Sequence, residues 1–576
     1  MKKLVALTLS LVLVLSFIPS AFAREVMDHT YFSQFPLVQE GENVEVSVVT
    51  VRNAAYGNDA EKTWFWQWSE AATGLQFTHS QIIDTSLADQ KPLLFASGDL
   101  PNLMMQLKLT PSELVLYGMQ EHQLKDLSSY ITEERMPWLS KWIAQYPQAK
   151  AVCTTPDGAM YTLPFFTNLG VPVATQECID INTTLLQECG MEVPTSVEEL
   201  TAFLYKVKEL HPDSVPMSGI VGASSVNAAS SGGNTLNPLS FLLNAYGYIT
   251  EGTNDFGYEV ALKNGKVVIP CGDADFVEFL KLANKYYTDG IMQQDFFTAD
   301  HVSVTALATE HRTAILATAA YNILPTYEEF IQWQSVKPLT SSVNPVQQWK
   351  NNDSITCGGV AISADTPDEL VDKILRYLDF FYSALGSVYL WEGPLYGSPD
   401  TLGLVQGLSF RDGSKYFYDV KEGPYENNLA YVYGQGFGAS TAFGNRSHDI
   451  DHPEKLNYFL QMLQYCLGTP MDEIVPFGWV HENGDGHNRL TRLENNVPYL
   501  VSGYPSIMYF SAEEQETIDE ITLLLNAHVT SEVAKFITGA RSIDEFDQFV
   551  SECEAYGLRE LEKIYAKGYE NYINAQ

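Results

Sequence analysis

The pattern of residues 44–96 constrains the fold more than any other feature of the chain. Residues 44–51 (VEVSVVTV) alternate and then become continuously apolar, which predicts a strand that enters a buried sheet. A polar loop at 53–59 follows, and then a predicted helix over about 60–74. Further strands are predicted at 76–79 and 91–96 (KPLLFA). This order of strand, loop, helix and strand predicts an α/β fold with a largely parallel sheet.

The loops of such a sheet are candidate binding loops, because parallel sheets bind ligands beyond the carboxyl ends of their strands. Two polar loops are expected at that edge, 53–59 and Ser97-Gly98-Asp99. We therefore predict ligand contacts from Asn53, Tyr56, Ser97 and Asp99.

Residues 1–23 carry the pattern of a cleavable secretory signal. Lys2 and Lys3 precede an apolar run at 4–18, and Ala21-Phe22-Ala23 completes an A-x-A cleavage site. The mature chain is predicted to begin at Arg24 and to be secreted: extracellular, or periplasmic where the source has an outer membrane. The apolar run is too short for a permanent span, so no membrane insertion is predicted. No cysteine stands at the cleavage point, so no lipid anchor is predicted.

Composition excludes several classes of partner. The 576 residues include 71 Asp and Glu against 34 Lys and Arg, a formal net charge of −37. Such a surface repels phosphate backbones and anionic lipids, so nucleic-acid and membrane binding are not predicted. The 45% of hydrophobic residues excludes a disordered chain. The 32 Tyr and 29 Phe indicate sugar stacking, although core packing would also use aromatic residues.

The seven cysteines lie far apart and form no C-x-x-C pair, and their number is odd. A mature chain of this size does not need disulfides to stabilise a small core. Structural thiols are therefore predicted, with at most one or two disulfides whose pairing the sequence does not define. The positions are Cys153, Cys178, Cys189, Cys271, Cys357, Cys466 and Cys553.

Several helix starts are marked by capping boxes, in which Ser or Thr caps the first turn and Glu three residues later reciprocates. Gly557 predicts a helix end before a last helix. Residues 401–510 are rich in Gly, Tyr, Asn and Pro with weak periodicity, which predicts long loops. The predicted capping pairs are Thr195 with Glu198, Thr366 with Glu369, Ser511 with Glu514, and Ser542 with Glu545.

Five segments along the chain carry motifs of one known family, in that family's order. Residues 97–102 (SGDLPN) resemble an S-G-D-x-P-D stretch, and 157–164 (DGAMYTLP) resemble a D-G-x-x-Y-x-L-P segment. Residues 182–195 resemble N-x-x-L-L-x-x-x-G-x-x-x-P-T, and 378–397 resemble F-L-D-Y-x-Y-S-x-x-G. With these motifs the chain resembles the family 1 extracellular solute-binding proteins of ABC transporters. Its ending at 535–569 is similar to that of the longer, lipoprotein-type members linked to oligosaccharide uptake.

The resemblance implies a two-lobed, periplasmic-binding-protein-like fold of type II, in which each lobe is a mostly parallel sheet flanked by helices and crossed by hinge segments. Lobe 1 is expected to comprise 24–160 and 345–398, and lobe 2 161–344 and 399–510, with helices at 511–576 packed on the lobes. The implied function is carbohydrate binding, without catalysis, for an ABC importer, with ligand enclosed between the lobes by hinge closure. Permease subunits are the implied partners, and a monomer is expected.

Aromatic and polar residues near the family-like segments are further candidate contacts. Trp391 and Tyr396 follow a long predicted helix, and Tyr321 follows a predicted strand at 313–320; each of the three either lines the cleft or packs. Trp64, Trp66 and Trp68 are interpreted as mainly packing residues, because 64 and 68 share a helix face while 66 points away. The remaining candidates are Phe165, Phe166 and Asn168 after the 157–164 segment, and Trp479 in a polar, Gly-rich segment.

No metal or cofactor is predicted. Some large relatives hold calcium in a loop after a helix like 196–210, whereas residues 209–216 (ELHPDSVP) are poor in calcium ligands. The clusters at 448–452 and 481–487 match no zinc spacing. No G-x-S-x-G, phosphate-binding loop or dinucleotide motif occurs. A secreted glycoside hydrolase remains an alternative, because its two carboxylates leave no sequence pattern, and so does a peptide-binding or adhesive surface protein. The sequence does not identify the sugar.

Overall fold

The computed structural model divides the chain into two compact units, each assembled from two chain segments. Unit 1 comprises Met1–Val171 and Ser354–Tyr465, and unit 2 comprises Pro172–Asp353 and Cys466–Gln576. The structure describes residues 35–52, 60–167, 179–221, 236–249, 256–317, 320, 323–324, 327–351, 355–383, 386, 389–390, 394, 399–402, 408–411, 415–418, 444–446 and 495–575.

The described residues form the following elements. The strands are β1 Val44–Arg52, β2 Leu75–Ile83, β3 Leu103–Met105, β4 Phe165–Thr167, β5 Asp180–Asn182, β6 Ala261–Lys263, β7 Lys266–Val268, β8 Ile315–Leu316, β9 Trp333–Ser335, β10 Trp349–Asn351, β11 Ile355–Thr356, β12 Val360–Ile362, β13 Leu408–Arg411, β14 Lys415–Tyr418, β15 Gly444–Arg446 and β16 Leu500–Ser502. The helices are α1 Trp64–Thr73, α2 Leu87–Ser97, α3 Pro111–Glu113 (continued by a π-helical segment, Leu114–Gln120), α4 Pro137–Gln145, α5 Gln148–Cys153, α6 Thr183–Cys189, α7 Val197–Leu210, α8 Pro238–Ala245, α9 Phe276–Thr288, α10 His301–Thr309, α11 Tyr327–Phe330, α12 Asp368–Asp379, α13 Ala512–Thr538, α14 Phe546–Ala555 and α15 Leu558–Ala575.

A four-stranded sheet in the order β12-β3-β1-β2 organises unit 1. β1 is parallel to both neighbours, with Val48 opposite His79 on β2 and Leu103 on β3. β12 is antiparallel to β3. The second half of β1 is buried on both faces, which explains its continuous apolar run. The predicted strand at 44–51 and the parallel sheet are confirmed.

A second sheet of unit 1, in the order β11-β4-β15, joins both chain segments of the unit. β4 pairs with β11 antiparallel and with β15 parallel. Strands β4 and β15 therefore belong to unit 1, whereas the boundaries derived from the sequence put residues 165–167 and 444–446 in the second lobe.

The tryptophans of α1 pack in the core of unit 1. Trp64 and Trp68 are almost completely buried and stack with ring centroids 5.8 Å apart. Trp66, on the other side of the helix, lies 5.0 Å from Phe77 and 4.7 Å from His79. The interpretation of these three residues as packing residues, on two faces of one helix, is therefore confirmed.

Unit 2 contains a three-stranded sheet in the order β8-β5-β9 and two further strand pairs, β6-β7 and β10-β16. Isolated parallel bridges join Met217 to Met292 and to Ile315. Helices α13, α14 and α15 belong to the same core, through buried residues such as Val529, Phe536, Phe549 and Leu558. Within the described ranges, no helix combines the length and hydropathy that a bilayer crossing requires.

Helix boundaries follow the predicted caps with three adjustments. Ser511 and Glu514 form the predicted capping box at α13. At α7 the cap is Ser196 rather than Thr195, and Thr195 bonds to the Glu199 carboxylate. The Thr366 hydroxyl contacts Asn102, so α12 begins after Pro367 without a side-chain cap. Ser542 caps a 3₁₀ turn, Ile543–Glu545, and α14 starts one residue later.

Candidate ligand-binding site

The parallel strands of unit 1 end at one edge of their sheet, and we call this the unit 1 strand-end edge: Arg52 on β1, Ile83 on β2 and Met105 on β3. Beyond β3, Gln106 adopts a left-handed φ of 62°, and its amide donates to the Gly359 carbonyl at 2.6 Å. Gly358 has a φ of 89°, and a Cβ there would lie 2.1 Å from the Leu109 carbonyl oxygen. Only glycine fits this approach, so the backbone at the edge is tightly defined.

The loop that carries Asn53 and Tyr56 leaves this edge, because it follows Arg52 at the carboxyl end of the central strand. Residues 53–59 themselves lie outside the described residues. The ligand contacts of Asn53 and Tyr56 stay predictions.

The strand predicted at 91–96, which would place Ser97 and Asp99 at this edge, is wrong, and the ligand contacts of these two residues stay predictions. Residues 91–96 are not a strand but part of helix α2, in which Lys91 and Phe95 are buried at the four-residue spacing of a helix. Gly98 ends this helix in the left-handed conformation, and the Ser97 hydroxyl accepts from the Asp99 amide at 3.2 Å. The segment then enters β3 at its amino end, opposite the strand-end edge. A short apolar run does not distinguish a strand from a buried helix by periodicity.

The family-like stretch at 97–102 has a clear structural role here. The Asn102 carboxamide oxygen accepts from the Ser47 amide at 3.0 Å and from its hydroxyl at 2.9 Å. The Asn102 amide donates back to the Ser47 hydroxyl at 2.9 Å. These bonds fix the amino end of β3 against β1 and so set the sheet register.

Phe166 is a core residue of unit 1. Its side chain is completely buried, with the ring 4.8 Å from Trp142 and 6.1 Å from Tyr382. Its neighbour Phe165 is 7% exposed and pairs with Thr356 across the sheet. Phe166 therefore packs in the core of unit 1, and the ligand contacts of Phe165 and Phe166 stay predictions.

The segment at 157–164 forms a turn that its own side chains hold. The Asp157 carboxylate accepts from the Thr155 hydroxyl at 2.6 Å, the Ala159 amide at 3.1 Å and the Tyr161 hydroxyl at 2.7 Å. Burial opposes ionisation of Asp157, but these hydrogen bonds outweigh it and lower the pKa of the carboxyl group. Gly158 supplies the left-handed residue, with a φ of 86°. The Asp, Gly and Tyr of the motif are thus explained by folding alone.

The aromatic face of α1 is held by one carboxylate. Tyr389 donates to Asp400 Oδ2 at 2.7 Å, and Trp68 Nε1 donates to Oδ1 at 3.2 Å. Trp64 Nε1 donates to the Asp400 carbonyl at 2.7 Å. Both indole N–H groups are therefore used within the protein.

In unit 2 the three-stranded sheet is antiparallel, and β5 begins at Asp180 beside the end of β8. Asp180 on β5 is completely buried, and its Oδ2 accepts from the Ala320 amide at 2.8 Å. Ala320 immediately precedes the candidate residue Tyr321, and β8 ends nearby at Leu316, opposite Asp180. Asp180 thus positions the chain that carries Tyr321. Sequence reasoning did not find this carboxylate, although an aspartate inside an apolar strand is a signal for it.

A buried polar network lies beside this edge, where the bridges of Met217 end. The Ser218 amide donates to the Thr313 hydroxyl at 3.3 Å, and that hydroxyl donates to the Ser218 hydroxyl at 2.9 Å. The Gly219 amide donates to Gln293 Oε1 at 3.4 Å, and Gln293 Nε2 donates to the Ser303 hydroxyl at 3.3 Å. This network fixes the chain that leads into residues 222–235, which lie outside the described residues.

Most of the predicted contacts fall outside the described residues, so the structure does not bring them together or separate them. Their ligand contacts stay predictions. The residues are Asn53, Tyr56, Asn168, Tyr321, Trp391, Tyr396 and Trp479. The clusters at 448–452 and 481–487 are also outside, and across the described positions no three His, Cys, Asp or Glu side chains gather to hold a metal ion.

Comparison with known proteins identifies relatives along nearly the whole chain. No family model matches. The fructooligosaccharide ABC transporter substrate-binding protein FusA of Streptococcus pneumoniae is 22% identical over 554 residues, which cover 93% of this chain and 92% of the relative. The structure of FusA in complex with kestose superposes with a TM-score of 0.69 at 19% identity, covering 92% of this chain and all of FusA.

The chain has the fold of an ABC-transporter substrate-binding protein. An HMO-binding solute-binding protein of Bifidobacterium longum infantis gives the same TM-score of 0.69 at 19% identity over 92% of this chain and 99% of its own. The structure of the alginate-binding protein AlgQ2 superposes with a TM-score of 0.63 at 17% identity, covering 93% of this chain and 99% of AlgQ2. The predicted two-lobed fold class and the resemblance to extracellular solute-binding proteins are confirmed.

Proposed function

We propose that the protein is the extracellular substrate-binding component of an ABC importer and that it binds an oligosaccharide without turning it over. The observation that carries the proposal is the match of 22% identity over 554 residues to a fructooligosaccharide-binding protein. The match extends through both units, so it supports a whole binding protein rather than one shared domain. Permease subunits are the proposed partners.

The proposed contacts are the loops that leave the strand ends. Aromatic side chains such as Tyr56 and Tyr321 would stack on the apolar faces of sugar rings, while amides and carboxylates bond to hydroxyl groups. Asp180 supports this arrangement, because it anchors the backbone just before Tyr321. Ligand binding then favours one conformation through its higher affinity for that conformation.

Binding is tested by thermal unfolding and calorimetry with a panel of fructo-oligosaccharides, other oligosaccharides and peptides. A ligand at a hundredfold excess over its Kd stabilises the folded state by about 2.7 kcal/mol, which raises the melting temperature by a few degrees. We expect at least one oligosaccharide to do so and to reduce the radius of gyration in solution scattering. Stabilisation by peptides alone would overturn the carbohydrate proposal.

The contacts are tested with Tyr56→Ala and Tyr321→Ala, and Tyr556→Ala is the matched control. Tyr556 is also an aromatic residue, 40% exposed, between the C-terminal helices α14 and α15. We expect the first two variants to weaken binding at least tenfold with little change in ligand-free stability, and the control to bind as the unmodified protein does.

Turnover is tested by chromatography of the sugar after prolonged incubation. Recovery of intact ligand from the complex is expected. Saturable hydrolysis that depends on the protein would establish a glycoside hydrolase instead.

A further inference from the structure

Two cysteines of unit 1 meet although they are far apart in the chain. Cys153 is the last residue of α5 and is completely buried, and Cys357 directly follows β11. The Cys357 Sγ donates to the carbonyl of Val152 at 3.3 Å, one residue from Cys153. Cys357 is also among the neighbouring groups that raise the pKa of the Cys153 thiol. Helix α5 and strand β11 pack together, so the contact is part of the fold of unit 1.

Unit 2 contains a second pair of the same kind. Cys271 lies in the 3₁₀ turn Pro270–Gly272, and Cys553 lies on α14. Both side chains are completely buried in the same core cluster of unit 2, and Cys553 is among the neighbouring groups that raise the pKa of the Cys271 thiol. The turn and α14 pack directly against one another.

Each pair connects the two chain segments of one unit. Cys153 belongs to the first segment of unit 1 and Cys357 to its second segment, while Cys271 and Cys553 belong to the two segments of unit 2. Cys189 provides a contrast, because the groups around its half-buried thiol are Glu188, Lys206 and Glu209.

We propose that Cys153–Cys357 and Cys271–Cys553 form disulfides in the exported protein, each joining the two segments of one unit. Each bond forms by thiol–disulfide exchange with a disulfide oxidant, such as oxidised glutathione or the disulfide form of a thiol–disulfide oxidoreductase. Both thiols lose their protons, one S–S bond forms, and two electrons reduce the disulfide of the oxidant to two thiols. The proposal rests on the export expected from residues 1–23 and is independent of which ligand the protein binds.

Oxidation has to take place during folding. Burial raises the pKa of the Cys153 and Cys271 thiols well above the ordinary value, so the reactive thiolate is scarce once the cores have closed. A disulfide that closes a long loop strongly restricts the unfolded chain and so stabilises the folded protein. The Cys153–Cys357 loop spans 204 positions, and the Cys271–Cys553 loop spans 282 positions.

The pairing is tested on full-length protein recovered from the medium of an exporting host, denatured without reductant in excess iodoacetamide and mapped by mass spectrometry. We expect disulfide-linked peptides for the two proposed pairs and alkylation of Cys178, Cys189 and Cys466. Alkylation of all seven cysteines, or linkage in other pairs, would overturn the proposal.

The structural effect is tested by comparing midpoints of thermal unfolding with and without dithiothreitol. We expect reductant to lower the midpoint by several degrees and the double variant Cys153→Ser with Cys357→Ser to show a smaller response. Cys189→Ser, the matched control, should respond as the unmodified protein does. Equal midpoints for the mapped, oxidised protein and its reduced form would contradict the structural role, and this comparison does not require any variant to fold.

Discussion

The Asp180 side chain is completely buried, and its carboxylate accepts from the backbone amide of Ala320. A buried donor that loses its partner costs about 1–3 kcal/mol. In Asp180→Ala we expect the free energy of unfolding to fall by about that amount and the oligosaccharide Kd to rise several-fold, because the chain before Tyr321 loses its anchor. Asp180→Asn retains an acceptor and should lie closer to the unmodified protein.

The matched control for this variant is Asp273→Ala in the same unit, where the carboxylate accepts from Tyr248 and Lys263, each at 2.6 Å. We expect Asp273→Ala to lower the free energy of unfolding in chemical denaturation and to leave the oligosaccharide Kd unchanged in calorimetry. Equal losses of affinity in both variants would show that Asp180 acts through global stability alone.

His79 gives the stability of unit 1 a pH dependence. Burial beside Trp66 lowers the pKa of His79 from 6.5 to about 4. Between pH 4 and pH 6.5 the unfolded chain binds more protons than the folded chain, because His79 is protonated in the unfolded chain and neutral in the folded one. The contribution of neutral His79 to the free energy of unfolding is therefore complete above about pH 6.5 and is lost as pH falls towards 4. The loss is at most about 3 kcal/mol.

We therefore expect the melting temperature of the unmodified protein to fall more steeply between pH 6.5 and 4 than that of His79→Gln, each measured relative to its own value at pH 8. Parallel curves for the two proteins would contradict a buried, neutral histidine.

At the scale of elements, α13 illustrates a helix start that the sequence predicts fully. The Ser511 hydroxyl accepts from the Glu514 amide at 3.2 Å, and the Glu514 carboxylate accepts from the Ser511 amide at 3.1 Å. Ser511→Ala should cost about 1 kcal/mol in chemical denaturation. Ser511→Asp, which is also a good cap, should cost much less. Equal losses in both variants would contradict the capping role.

The loop after α7 is closed by cationic side chains. Lys208 Nζ donates to the Ser214 carbonyl at 2.6 Å, and the Arg312 guanidinium donates to the Asp213 carbonyl at 3.2 and 3.0 Å. Two carbonyl oxygens are thus already bonded to positive charge within the protein. We expect a calcium chelator to leave the melting temperature unchanged and Arg312→Ala to lower it. A drop of many degrees on chelation would contradict this.

Local patterns predicted the elements that depend on local physics. β1, α1 and the caps of α13 follow from alternation, helical spacing and capping chemistry, and all are present. The strand predicted at 91–96 failed because Lys91 is buried through contacts with Glu113 and the Lys108 carbonyl, which only the folded chain brings together. Asp180 was missed for the same reason, since its partner lies 140 positions away. The expected position of Ser97-Gly98-Asp99 at a strand end failed together with that strand, because the segment enters β3 at its amino end.

At the scale of the whole molecule, unit 2 depends on its last three helices. Phe536, Phe549 and Leu558 are completely buried in its core. A chain that ends at residue 510 lacks these three helices, so the core of unit 2 is incomplete, whereas both chain segments of unit 1 are retained. In scanning calorimetry we expect the transition of unit 2 to be lost and one cooperative transition to persist. A truncated chain with the full-length unfolding enthalpy would contradict this division.

The pairing of β12 with β3 also determines when the sheet of unit 1 can be completed during synthesis. Met105 on β3 pairs with Val360 on β12, which lies 255 positions later in the chain. At about 5–20 residues per second, the ribosome needs roughly 13 to 50 s to synthesise the chain between them. During that interval β12, the edge strand next to β3, has not been made, so the sheet of unit 1 is incomplete. The four-stranded sheet of unit 1 is therefore completed only after synthesis has reached residue 362, the end of β12.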